Sequence, residues 1–130
     1  MNMIPASHAD LLTDATRAFA WIATLMPDGS PQLTPVWFNV RGNYVLVNSA
    51  KGRVKDLNMR THPRVAVVIM DPSDPYRYLQ IRGRVVQITE EGGLAHINAL
   101  SLKYRSQPWT PIQKQVRVIY EIQPERVFAG

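Results

Sequence analysis

The sequence contains no cysteine, which excludes disulfides and thiolate metal sites and gives an oxidising compartment no support. Its histidines, His8, His62 and His96, lie far apart without ligand spacing, so a zinc centre is not expected. No apolar run approaches the roughly 20 residues of a membrane span. The N-terminus lacks the basic start and long apolar run of a signal peptide. A soluble, cytoplasmic protein is the expectation. The glycine-rich nucleotide motifs G-x-G-x-x-G and G-x-x-x-x-G-K-[ST] are missing, as is the G-x-S-x-G elbow. The acid pair Glu90-Glu91 is accounted for by a helix start. With no self-sufficient acid–base or nucleophilic constellation, any enzymatic chemistry falls to a cofactor.

What is present describes one globular domain over residues 1–130. The chain is 45% hydrophobic and 19% charged, long enough to bury a single ordinary core. Fifteen Lys and Arg against ten Asp and Glu give a net charge of +5. Nucleic acid, phosphorylated cofactors and acidic substrates all suit that charge. The cations, however, concentrate in residues 51–64 and 77–84, which favours a localised site over a general electrostatic coat. No nucleic-acid or membrane partner is expected; a small-molecule substrate is.

Periodicity and turn chemistry divide the chain. A short helix is predicted over 7–17, with Ser7 as its N-cap. An apolar strand, Phe19–Leu25, ends at Pro27-Asp28-Gly29, a strong turn. The return strand spans 32–40, and Pro35 inside it demands an edge position or a local distortion. A second turn at 41–43 leads to a strand beginning "YVLVNS", then to a basic helix. Arg64–Asp71 is a nearly continuous apolar strand, as when both faces are buried. In residues 76–89, Leu79, Ile81, Gly83 and Val85 share one face, but Val86 and Ile88 fall on the other, so a bulge is predicted near 83–86. A helix capped by Thr89 follows, then the connector "RSQPWTPIQKQ" and a last alternating strand from Val116 to Ile122. Six strands joined by short turns imply an α+β fold, an antiparallel sheet curling into a small barrel with flanking short helices.

The stretch "NSAKGRVKDLNMRTHPRV" raises a question of charge. Lys51, Arg53 and Lys55 crowd towards a helix N-terminus, where cations are unfavourable by a few tenths to ~1 kcal/mol each. One reading is a solvated helix face with Asp56 offsetting part of the charge. The other makes Asn48, Ser49, Gly52 and the helix start a phosphate cradle, with Arg53 offering a bidentate fork and Lys55 a point charge. The aromatics Trp37, Phe38, Tyr76 and Tyr78 likewise suit either a plain core or the walls of a planar ring site.

The segments "ATLMPDGSPQLTPVWF", "NSAKGRVKDLNMRTHPRVAV", "DPYRYLQIRGRV" and "YEIQPERV", in this order and covering about residues 20–127, resemble the split-barrel proteins of the pyridoxamine-phosphate-oxidase-like superfamily. Within it, the chain looks like the short reductases that use deazaflavin (coenzyme F420). The resemblance implies a six-stranded split barrel that forms a homodimer, with cofactor sites at the subunit interface and coenzyme F420, or alternatively flavin mononucleotide (FMN), as cofactor. It implies that Thr34, Pro35, Val36 and Trp37 lie along the ring. Asn48, Ser49, Gly52, Arg53, Lys55 and Asn58 would hold the phosphate, and Tyr76, Arg77 and Tyr78 would reach the cofactor from the partner subunit. The implied activity moves a hydride between reduced deazaflavin and a small unsaturated acceptor, with no catalytic side chain. The connector would border the substrate pocket. The tryptophan- and arginine-containing C-terminal segment with which pyridoxamine phosphate oxidases hold substrate is not found after "RVFAG", so that activity is not expected.

Overall fold

The computed structural model describes residues 3–130. Seven strands form one antiparallel sheet: β1 (Phe19–Leu25), β2 (Pro31–Val36), β3 (Phe38–Arg41), β4 (Tyr44–Ala50), β5 (Arg64–Asp71), β6 (Asp74–Thr89) and β7 (Arg117–Ala129). A 3-10 segment (Ala6–Leu12) precedes them, α1 (Val54–Thr61) follows β4, and α2 (Gly93–Arg105) follows β6.

The strand order β2-β1-β5-β6-β7-β4-β3 contains a geometric demand. β2 and β3 are the two edges, yet only Trp37 separates them in the chain. Laid flat, seven strands at ~4.8 Å spacing would hold these edges about 29 Å apart. A single intervening residue spans only about 7 Å. The sheet therefore curls until its edges face each other, giving a half-barrel with a split where β2 passes into β3.

That crossing corrects the expected six strands to seven. Residues 32–40 do not run as one strand, because they serve both ends of the sheet. Ala20 lies opposite Val36 in the β1–β2 ladder, and Phe38 opposite Val47 in the β3–β4 ladder. The chain breaks its pairing at Trp37 to pass from one to the other. Pro35 sits on an edge strand, as its missing N–H requires.

Ile22, Phe38, Val67, Leu79, Ile81, Tyr120 and Ile122 fill the inside of the curl, joined by Leu11 from the 3-10 segment. The bulge in β6 is present: its register against β7 shifts between Arg82 and Gly83 and again between Val85 and Gln87. Two helix starts differ from the sequence expectation. Residues 13–17 do not continue the first helix, which is a 3-10 turn without a side-chain cap; the Ser7 hydroxyl instead meets His8 Nδ1 at 2.8 Å. Thr89 is still strand, paired with Ile119, so α2 begins only after the chain turns at Gly92, whose φ is +77°.

At Gly83 the backbone of β7 leaves no room for a side chain on β6. A Cβ there would fall onto the Gln123 carbonyl oxygen. Gly83→Ala should therefore destabilise the fold by about 1–3 kcal/mol through overpacking. The expected readout is a lower urea midpoint at an unchanged m-value; a midpoint equal to the parent's would show that this contact yields without cost.

Candidate functional site

Beside the split lies a cleft of about 520 Å³. Trp21, Pro35 and Val36 from β1 and β2 form one side, and Trp37 stands at the crossing. Asn48 and Ser49 near the end of β4, Arg53 and Lys55 at the start of α1, and Ile97, Leu100 and Tyr104 of α2 also line it. Trp109 and Arg117 complete it.

The cationic corner is built by one turn. β4 ends with Ala50 opposite Arg117, and Lys51 N–H bonds the Val116 carbonyl at 2.8 Å. Gly52, at φ +93°, then reverses the chain and gives its N–H to Asp56 Oδ2 at 2.8 Å. Asp56 is 1% exposed and also accepts from Arg60 Nε at 2.9 Å and from the Tyr120 hydroxyl. Burial works to raise its pKa, but these three donors prevail and hold the carboxyl below its ordinary range. The same arrangement pushes the Tyr120 phenol well above its own, by burial first and then by Asp56. Asp56 is thus turned inward as an anchor for α1, not outward as an offset for the cations beside the cleft.

Those cations remain uncompensated. Lys51 is diverted to Glu90 at 2.9 Å. Arg53, Lys55 and Arg117 have no carboxylate partner among the described residues. Burial lowers the pKa of Lys55, and the charges of Arg53 and Arg117 lower it further. Burial and Arg53 likewise lower that of Arg117. An anion bound among the three would relieve both effects.

Next to them stands an aromatic wall. Trp37 stacks on Tyr104, with centroids 5.6 Å apart and planes within 5°. Trp109 meets Trp37 edge-on at 6.3 Å, and the Arg117 guanidinium lies 5.1 Å from the Trp109 ring centre. The Tyr104 hydroxyl donates to the Ala18 carbonyl at 2.8 Å. Burial raises its pKa to about 12, so near neutrality the hydroxyl keeps its proton and holds it on that carbonyl. Ser49 and Trp109 line the cleft, and Ser49 Oγ and Trp109 Nε1, like Thr34 Oγ1 on β2, are buried with no hydrogen-bond partner among the described residues. Each such group costs roughly 1–3 kcal/mol while unpaired. Cations, two unsatisfied polar groups and planar faces together fit a ligand with anionic oxygens and a flat ring.

Behind the cleft a polar chain runs through the protein. Arg117 Nε donates to Asn48 Oδ1 at 2.9 Å. The Asn48 amide donates to the Gly93 carbonyl and faces His96 Nδ1, both at 3.0 Å. His96 Nε2 lies 2.9 Å from Asn39 Oδ1. Arginine can only donate and a carbonyl only accept, so the Asn48 orientation is fixed, His96 Nδ1 must be bare, and Nε2 carries the proton. Burial, with the charges of Arg41 and Arg117, holds the His96 pKa down to about 4.

Of the residues singled out from sequence, Pro35, Val36, Trp37, Asn48, Ser49, Arg53 and Lys55 meet at the cleft. Gly52 shapes the turn beside it. Thr34 lies on the adjoining strand. Asn58 is buried, donating to Thr24 Oγ1 at 3.0 Å and Met26 Sδ at 3.3 Å, and so packs α1 onto β1. Tyr76, Arg77 and Tyr78 do not line the cleft of their own chain. Tyr76 is 86% exposed, Arg77 is ion-paired with Asp10 and with Asp71, and Tyr78 packs against Phe128. Sequence reasoning missed Tyr104, Arg117 and His96; Trp109 belongs to the connector expected to border the pocket, though it was not singled out within it. A lone cation at the start of an apolar final strand and a tryptophan in a polar connector were the available signals.

A family model described as pyridoxamine 5'-phosphate oxidase matches residues 5–129. The chain belongs to the pyridoxamine 5'-phosphate oxidase family. Among solved structures, an F420 reductase is 32% identical and superposes with a TM-score of 0.85, over 96% of this chain and 98% of that one. A conserved hypothetical protein from Mycobacterium tuberculosis is 23% identical, with a TM-score of 0.74 over 97% of this chain and 84% of that one. HupZ of Group A Streptococcus is 19% identical, with a TM-score of 0.67 over 98% and 94%. The last two likenesses are of fold alone. No curated protein matches the chain in sequence. No helix among the described residues is long and apolar enough to cross a membrane.

His96 carries a pH prediction. Its imidazole titrates near 6.5 when unperturbed and near 4 in the fold, so the unfolded chain takes up the proton first. The stability that this residue contributes is complete above about pH 6.5 and is lost as pH falls towards 4. Nitrogen-15 NMR should find His96 neutral and protonated at Nε2 at pH 5.5. An imidazolium signal at that pH would contradict the polar chain.

Proposed function

We propose that this protein is a cofactor-dependent oxidoreductase that binds a deazaflavin, coenzyme F420, at the cleft and reduces a small unsaturated organic acceptor. The observation that carries this reading is the joining, in one cleft, of carboxylate-free cations to a planar aromatic wall. The likeness to an F420 reductase across nearly the whole of both chains supports the choice of cofactor.

When bound, reduced deazaflavin supplies a hydride to the acceptor. The chain supplies binding, orientation and exclusion of water. Arg53 and Arg117 would fork onto phosphate oxygens, Lys55 would add a point charge, and the Ser49 hydroxyl would find its missing partner there. Pro35, Val36 and Trp37 would lie along the ring. Tyr104, committed to the Ala18 carbonyl, acts as a wall, which leaves proton delivery to solvent. FMN is the second reading, since its phosphate suits the same three cations. Titration of the apoprotein with each cofactor decides between them. Micromolar affinity for FMN with none for F420 would reverse the ranking. Exchange of label from reduced cofactor into a panel of acceptors separates an enzyme from a carrier.

We further propose a homodimer. The outer sheet face exposes Phe19, Leu33, Tyr76 and Phe128 by half or more, an apolar patch that association would cover. Tyr76 and Tyr78 would then border a second copy's site, whereas the charge of Arg77 is already matched by Asp10 and Asp71. Light scattering should give a dimer at micromolar concentration; a stable monomer there would count heavily against a shared site.

The cationic corner gives the sharpest test. Arg53→Ala or Lys55→Ala removes a charged hydrogen bond worth roughly 1.5–3 kcal/mol, a loss of cofactor affinity of about ten- to a hundredfold. The apoprotein should keep its melting temperature or gain slightly, because each change relieves repulsion at a helix N-terminus. Unchanged affinity in both variants would remove these residues from the site.

A further inference from the structure

We propose that His96, which does not touch the cleft, is a positioning residue for the anion site: through Asn48 it fixes the guanidinium of Arg117. The proposal rests on the phosphate-binding reading of the cleft for its effect on affinity, but its structural core can be tested without any ligand.

Three things hold Arg117. Its Nε–H donates to Asn48 Oδ1 at 2.9 Å, its Nη1 donates to Gln115 Oε1 at 3.1 Å, and its plane covers the Trp109 ring. The Gln115 contact comes from the connector two residues before it, and the Trp109 contact is undirected. Only the Asn48 carbonyl is a buried, directional anchor on the neighbouring strand, since Asn48 is 7% exposed. It leaves the other guanidinium N–H groups available to an anion beside Arg53 and Lys55.

The Asn48 amide could in principle turn over, which would present N–H groups to Arg117 and cast the guanidinium off. The acceptors opposite its nitrogen prevent this: the Gly93 carbonyl on one side and His96 Nδ1 on the other, each at 3.0 Å. His96 Nδ1 stays an acceptor because Asn39 Oδ1 takes the Nε2 proton at 2.9 Å. Each link fixes the donor or acceptor sense of the next, from β3 through α2 and β4 to β7. Gly93 belongs to the same device. A Cβ there would strike the Arg117 carbonyl, so glycine lets the α2 start approach close enough for its carbonyl to face Asn48.

The test compares two replacements at one position. In His96→Asn, the short side chain can present an oxygen where Nδ1 stood and keep the acceptor for Asn48. In His96→Leu, that acceptor is gone. The first readout is hydrogen exchange of the Arg117 Nε–H in the ligand-free protein, followed by NMR. Slow exchange is expected in the parent and in His96→Asn, and at least tenfold faster exchange in His96→Leu. The second is the dissociation constant for coenzyme F420 and for FMN, measured by fluorescence. A three- to tenfold loss is expected in His96→Leu, with recovery in His96→Asn even though both variants melt at lower temperature. Should His96→Leu not fold, Asn39→Ala tests the far end of the chain, where a smaller acceleration of the same Nε–H is expected. Parent-like exchange of that proton in His96→Leu, or in Asn39→Ala if it alone folds, overturns the proposal. If neither cofactor binds any variant but the exchange pattern holds, the cofactor reading fails and the positioning role stands.

Discussion

A single residue joins the two edges of this sheet, and most of the molecule follows from that. Because Trp37 must span from β2 to β3, the sheet cannot lie flat, and its curl encloses the apolar core. The same crossing leaves an opening that no ladder closes, and the cleft sits beside it. Trp37 also sets the wall of that cleft, since Tyr104 and Trp109 arrange themselves around its ring. Fold and site are here two results of one short connection.

Charge is organised by the same economy. Asp56 lies within three residues of two exposed or half-exposed cations, Arg53 and Lys55, yet its carboxylate is engaged inside, by Gly52, Arg60 and Tyr120. This anchors α1 against β7 and leaves Arg53 and Lys55 without a counter-charge beside Arg117. The free protein bears that repulsion at the surface, where screening keeps it small. Facing outward, Asp56 would offset one of these three charges; facing inward, it leaves the cleft's cationic corner at its full positive charge.

Legibility in the sequence tracked the distance between partners along the chain. Asn48, Ser49, Arg53 and Lys55 were readable together because the strand end, turn and helix start that carry them are consecutive. The bulge in β6 was equally local, written in the face switch between Val85 and Val86. Arg117 was not, because it reaches the cleft through a register, Ala50 opposite Arg117, between segments some sixty-seven positions apart. His96 reads as an ordinary helix residue until Asn39 and Asn48 flank it. The six-strand count failed for a related reason: residues 32–40 look like one strand when their partners are ignored. Pro35 hinted at an edge, but the division at Trp37 is imposed by the sheet's closure and not by any local breaker.

The prolines of β2 have a consequence for how the molecule meets others. Pro31, Leu33 and Pro35 alternate with Gln32, Thr34 and Val36, and in an antiparallel ladder alternate residues aim their backbone groups to opposite sides. Since Pro31 and Pro35 sit opposite Leu25 and Trp21 without breaking the ladder, their set must aim away from β1. Two of the three outward amide positions therefore carry no hydrogen. A foreign strand arriving at this rim finds Leu33 as the one donor, too few to propagate pairing. The rim is closed to recruitment of strands while the opening beside it stays accessible to small molecules.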